Sequence, residues 1–190
     1  MQAFNTTALL RFDLRDLPPL IEEGREPEYV DLQYSLLTVC LRIILLQQMA
    51  SAGGSRRNPK DEQVYTLRRL IYRDGDMLLV AATSWGKSII FHVYSILTTK
   101  TTIQIIPLKK LGSEQLEDIR KLSYTNPCLL TSDTKKEEET LISQIRAGNH
   151  THLLLGPEQA SSKDFRDALK DPTFQSTIGL VAINECHLVK

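Results

Sequence analysis

From about Pro59 onward the chain alternates short apolar runs with amphipathic stretches, and this alternation limits the possible folds more than any other feature. The apolar runs are "MLLVAA" (77–82), "TTIQIIP" (101–107), "CLLTS" (128–132), "THLLLG" (151–156) and "TIGLVAIN" (177–184). They are too short for buried helices, and they are nearly continuous rather than alternating. Strands of that kind are buried on both faces, as in a parallel sheet covered by helices. The stretches between them predict helices over "DEQVYTLRRLIYR" (61–73), Lys87 to about Leu97, "SEQLEDIRKL" (113–122) and "FRDALK" (165–170). Thr134 and Glu137 have capping-box spacing, which predicts a helix from there through Arg146; Ser161 and Asp164 have the same spacing before "FRDALK". The fold class expected is α/β, with a parallel sheet sandwiched by helices. Ligands in such folds sit at the carboxyl ends of the strands.

Residues 1–58 have a different texture and read as a helical N-terminal extension with a linker. A Pro/Glu-rich lead, "LPPLIEEGREPEY", precedes a strongly apolar helix expected from about Tyr29 to Met49. Its apolar residues cover more than one face, so it either packs on the next region or binds a partner. "SAGGSRRNP" reads as the linker to a second unit over 59–190.

Lys plus Arg and Asp plus Glu both number 23, so no global charge draws the chain to nucleic acid, and such contact needs a local patch. Three scattered cysteines suit reduced thiols inside a cell. The N-terminus lacks the layout of a signal peptide. The longest apolar stretch, "LLTVCLRIILL", contains Arg42 and is about half a membrane span. The expectation is a soluble, intracellular protein with no membrane partner.

The strand ends carry the chemistry. The first apolar run leads into "ATSWGKS", which places Gly86, Lys87 and Ser88 between a strand and a helix. A phosphate loop needs inward-pointing backbone N–H groups, a helix N-terminus, a lysine and a hydroxyl for a metal ion. The G-x-x-x-x-G-K-[S/T] pattern has its first glycine where this chain has Ala81. The last run ends in "INECH", where Asn184 and Glu185 stand as a metal-ordering group and a water-orienting group would in a triphosphatase.

Taken in order, "ATSWGKS", "IIPLKKLGSEQ", "LLLGPEQ" and "INECH" resemble the first motor domain of superfamily-two DNA helicases. The nearest likeness is to the RecQ-like group and its degenerate fungal telomere-linked or mobile-element relatives. The resemblance covers about 59–190 and implies a P-loop NTPase of the RecA-like type. It identifies the four stretches with motifs I, Ia and Ib and the Asp-Glu-x-His box. The family also tolerates a residue other than glycine at the place of Ala81, while Ser84 stands where it usually has glycine.

The resemblance implies ATP and magnesium as cofactors, with single-stranded or partly duplex DNA as partner, and a nuclear location. Gln63 would read the adenine. Thr83, Ser84, Trp85 and Gly86 would wrap the phosphates, Lys87 would contact the β and γ phosphates, and Ser88 would ligate magnesium. Glu185 would position the hydrolytic water, and His187 would couple nucleotide state to the rest of the motor. Pro107, Leu108 and Lys109, with Gly156, Pro157 and Glu158, would face single-stranded DNA.

Two departures shape the expectations. Asn184 replaces the family's aspartate and supplies no charge to hold a hard cation, which predicts weak magnesium binding and slow or absent hydrolysis. The chain stops at Lys190, so the strand after the box, the second motor domain and its arginine finger are not in it. Two readings therefore stand: the ATP-binding half of a helicase, or a non-catalytic remnant of one that binds nucleotide or nucleic acid. A nucleotide kinase needs an acceptor site and an arginine-rich lid, and the sequence shows neither. His150 and His152 have no third metal ligand near in sequence, and Cys186 has no evident base partner.

Overall fold

The computed structural model describes residues 35–42, 59–72, 75–82, 85–107 and 109–184. The chain divides into two compact units, Met1–Thr99 and Lys100–Lys190. The expected boundary at residue 58, the lead and most of the expected N-terminal helix lie outside the described residues.

In the first unit, residues 35–42 are helical and bury Leu37, Cys40 and Leu41. Helix α1 (Asp61–Tyr72) packs on helix α2 (Lys87–Thr98). Val64, Leu67 and Ile71 recur at helical spacing and form the buried face of α1. Asp61 and Glu62 in its first turn and Arg69 in its last complement the helix dipole. In α2 Ile89 and Ile90 and every residue from His92 to Thr98 are buried, the mark of a core helix rather than a surface one.

The strand expected over 77–82 is not formed. No ladder partner lies beside residues 76–82 among the described residues, and Leu78 and Val80 are 78% and 85% exposed. A strand exists through its hydrogen-bonded neighbour, so apolar content alone does not make one.

The second unit is a four-stranded parallel sheet flanked by helices, as expected. Its strands are β1 (Thr101–Ile105), β2 (Pro127–Leu130), β3 (His152–Leu155) and β4 (Ile178–Ile183), in the spatial order β2-β3-β1-β4. Between them run α3 (Lys109–Arg120), α4 (Ser132–Glu137), α5 (Leu141–Arg146), α6 (Pro157–Ala160), α7 (Lys163–Ala168) and α8 (Pro172–Thr177). On one face Ile103, Cys128, Leu130, Leu153 and Leu155 pack with Leu141 and Ile145 of α5, Phe165 and Ala168 of α7, and Phe174 of α8. On the other, Leu154 packs with Ile106 and with Ile119 of α3. Burial of each large side chain in these clusters contributes about 1.5–3 kcal/mol. Gln104, fully buried in β1, donates to Gln115 of α3 at 2.7 Å. The edge of β4 away from β1 has no strand beside it among the described residues, and Val181 and Ile183 are 55% and 53% exposed.

The helix starts correct the expected caps. Thr131 is the cap of α4: its hydroxyl accepts from the Thr134 N–H at 3.0 Å, and its own N–H donates to Thr134 Oγ1 at 2.9 Å. Thr134 is thus the third residue of the helix rather than its cap. The helix ends at Glu137 instead of running to Arg146, since α4 buries no residue and no apolar face carries it further. Ser162 rather than Ser161 caps α7, accepting from the Phe165 N–H at 3.3 Å, because Ser161 already ends α6. Helix α3 begins at Lys109, four residues before the expected start. Helices α6 and α8 were not expected; each opens on a proline. Gly148, at φ 71°, turns the chain after α5, and a Cβ there would stand 2.5 Å from Thr177 Cγ2.

Candidate functional site

Two constellations hold the residues singled out in the sequence, one in each unit. In the first unit the N–H of Trp85 donates to the Ala82 carbonyl at 3.2 Å, turning the chain toward α2. Gly86 caps α2 in the left-handed region, at φ 95° and ψ 33°, where a residue with a Cβ is strained. Without a side chain it gives the helix no capping oxygen, and the first turn of α2 carries no acidic residue. The first N–H groups of a helix have no partner within it, which makes such an end suited to an anion. Lys87 is the first residue of α2, and its Nζ donates to the carbonyls of Ala81 at 2.7 Å and Ala82 at 3.2 Å. Ser88 follows, half-buried. Thr83 and Ser84 lie outside the described residues.

Gln63, which is buried on α1, joins this turn. Its Nε2 donates to the carbonyls of Trp85 at 3.2 Å and Gly86 at 3.3 Å, and its Oε1 accepts from the Lys60 N–H at 2.9 Å. Sequence reasoning missed Lys60. Its Nζ donates to the Trp85 carbonyl at 3.2 Å and lies 5.2 Å from the centre of the Trp85 ring, within cation–π range. The sole trace of this in the sequence is the spacing of Lys60 one helical turn before Gln63.

In the second unit the strand register gathers the remaining motifs at one edge. Leu130, Leu155, Ile105 and Ile183 are level with one another across the sheet. Thr131, Gly156, Ile106 and Asn184 are the next residues of their strands and share the carboxyl edge. The Asn184 N–H donates to the Ile105 carbonyl at 3.0 Å, and the Ile106 N–H to the Leu155 carbonyl at 2.9 Å. Pro107, Gly156 and Glu158 line one crevice there with Gly112, Leu129 and Thr131. At about 30 Å³ it has room for one or two waters and none for a base or nucleotide. Its significance is the adjacency of the two segments. Pro157 opens α6 beside it, Lys109 opens α3, and Leu108 lies outside the described residues, as do Glu185, Cys186 and His187.

The described thiols do not suit nucleophilic chemistry. Burial pushes Cys40 up to about 11 and Cys128 up to about 12, so both stay protonated at neutral pH.

A family model for the DEAD/DEAH box helicases matches residues 60–190. The chain belongs to the DEAD/DEAH box helicase family. Among curated proteins, this helicase-family chain is 27% identical over 112 residues to the ATP-dependent DNA helicase RecQ of a Synechocystis strain, covering 59% of this chain and 23% of that protein. It is 30% identical over 114 residues to the mouse bifunctional 3'-5' exonuclease/ATP-dependent helicase WRN, covering 60% of this chain and 8% of that one. It is 26% identical over 115 residues to the ATP-dependent DNA helicase Q-like 2 of Arabidopsis thaliana, at 59% and 16% coverage. The chain thus spans less than a quarter of the length of each of these relatives. The matches agree with the first domain of a RecQ-like superfamily-two helicase, a helicase-type ATP-binding domain. No described helix is long and apolar enough to cross a membrane.

Proposed function

We propose that this chain is the nucleotide-binding half of a helicase motor that uses ATP hydrolysis to move along or separate DNA strands. The observation that carries the reading is the start of α2, where a left-handed Gly86 at the helix N-terminus is followed at once by Lys87. Backbone donors, a helix dipole and one ammonium group together suit a polyphosphate. In this reading Lys87 leaves the Ala81 and Ala82 carbonyls for the β and γ phosphates. Thr83, Ser84, Trp85 and Gly86 wrap the phosphates, and Gln63 stands next to the base. Glu185 orients the attacking water, and His187 relays nucleotide state.

The residues suit the phosphates better than they suit magnesium. Ser88 and Asn184, the groups matched to the metal, are both neutral, whereas a hard cation favours carboxylate oxygens. Magnesium, when bound, neutralises charge on the transferring phosphate. Asn184 can offer its side-chain oxygen to a hydrated ion, but without charge.

Pro107, Lys109, Gly156 and Glu158 supply the DNA-facing surface through backbone groups and the positive charge of Lys109, with single-stranded DNA as ligand. Kinship with DNA helicases supports a nuclear place of action. Hydrolysis measured with and without single-stranded DNA tests the reading: it expects a DNA-stimulated rate that Glu185→Gln removes. A second reading, a motor remnant that binds nucleotide without turnover, is favoured by Asn184. It expects no turnover, and binding that Glu185→Gln leaves unchanged.

A further inference from the structure

Lys60 and Gln63 direct three hydrogen bonds at two consecutive carbonyls of the turn before α2: Trp85 from both side chains and Gly86 from Gln63. In a planar trans peptide the carbonyl of one residue and the N–H of the next point in opposite directions. Turning the Trp85 carbonyl toward α1 therefore turns the Gly86 N–H away from it. Holding the Gly86 carbonyl does the same for the Lys87 N–H. Both N–H groups are among those that a helix end leaves without a partner. The clasp thus aims two donors away from α1. The two residues hold Trp85 differently. Gln63 is buried, but Lys60 is exposed and grips Trp85 twice, through the carbonyl and across the ring face.

We propose that Lys60 is a positioning residue of the phosphate loop, which acts through Trp85 to orient the loop's backbone donors for the phosphates of a nucleoside triphosphate. This rests on the nucleotide-binding reading above. The cost of aligning those N–H groups is met before the ligand arrives, so losing Lys60 weakens phosphate binding without unfolding the chain.

The test uses the full chain and its one tryptophan, Trp85, as reporter. The imido analogue of ATP, which is not hydrolysed, is titrated against wild type, Lys60→Met and Lys60→Arg, with inorganic triphosphate as a second probe. Lys60→Met is expected to shift the Trp85 emission of the free protein and to weaken both probes about three- to tenfold, the worth of one hydrogen bond. Its melting temperature should match wild type, and Lys60→Arg, which keeps a cation and a donor, should restore affinity and emission. Unchanged affinity or emission in Lys60→Met overturns the proposal while the nucleotide reading stands, and so does a loss of affinity that Lys60→Arg fails to restore. A wild type that binds neither probe overturns the nucleotide reading and this proposal with it.

Discussion

The Nε2 of Gln63 lies 2.7 Å from where a Cβ on Gly86 would stand. Glycine at this position therefore answers two demands, the left-handed backbone of the cap and the close approach of α1. Gly86→Ala is expected to lower stability by about 1–2 kcal/mol from the backbone alone, and by more if the Gln63 amide is forced off the Trp85 and Gly86 carbonyls. Urea unfolding checks this. In the double variant with Gln63→Ala the two changes should fall short of additivity, since the clash is removed.

Asn184 follows β4 at the carboxyl edge of the sheet, held by its own N–H to the Ile105 carbonyl. That anchor is backbone, so Asn184→Asp should leave the fold intact while adding a charge. The expected outcome is tighter magnesium dependence: a lower half-saturating magnesium concentration for nucleotide binding, and higher hydrolysis at limiting magnesium. Titration of magnesium at fixed ATP reads both. No gain in either would show that the missing charge is not what limits the site.

Thr131 provides a sharper test of the fold. Its hydroxyl caps α4 and its N–H reaches Thr134 Oγ1 in return, so Thr131→Ala should cost about 1 kcal/mol in denaturant unfolding. A helix capped at Thr134, as the sequence spacing suggested, would instead make Thr131→Ala nearly neutral.

This is also where the limits of the sequence show. The parallel sheet was legible because β3 and β4 are short runs rich in apolar residues, and β3 is buried throughout. The segment 77–82 has the same pattern yet forms no strand, since pairing belongs to the neighbour and not to the run. Thr134 stood at cap spacing in the sequence, but the hydrogen bonds make Thr131 the cap. Helix α8 buries the single residue Phe174, too little to give a period. At the site, Gly86, Lys87 and Ser88 announced themselves by their order. Lys60 did not, because its role comes from contact with Trp85, 25 positions away.

The thiols give an independent check on burial. With Cys40 up to about 11 and Cys128 up to about 12, neither is appreciably ionised at pH 8. Both should react with an aromatic disulfide far more slowly than free cysteine does, and reach its rate only on unfolding. Rapid labelling of either in the native chain, located by peptide mass, would contradict their placement in the core.

The most direct measurement is equilibrium binding of ATP to the wild type and to Lys87→Ala, by calorimetry or by Trp85 emission. Among the described residues the Lys87 ammonium bonds to the Ala81 and Ala82 carbonyls, from a half-buried position, so its loss should leave the fold in place. The account predicts saturable binding by the wild type and a loss of at least about tenfold in Lys87→Ala, the worth of one charged hydrogen bond. Equal binding by the two proteins, or none by the wild type, would contradict it.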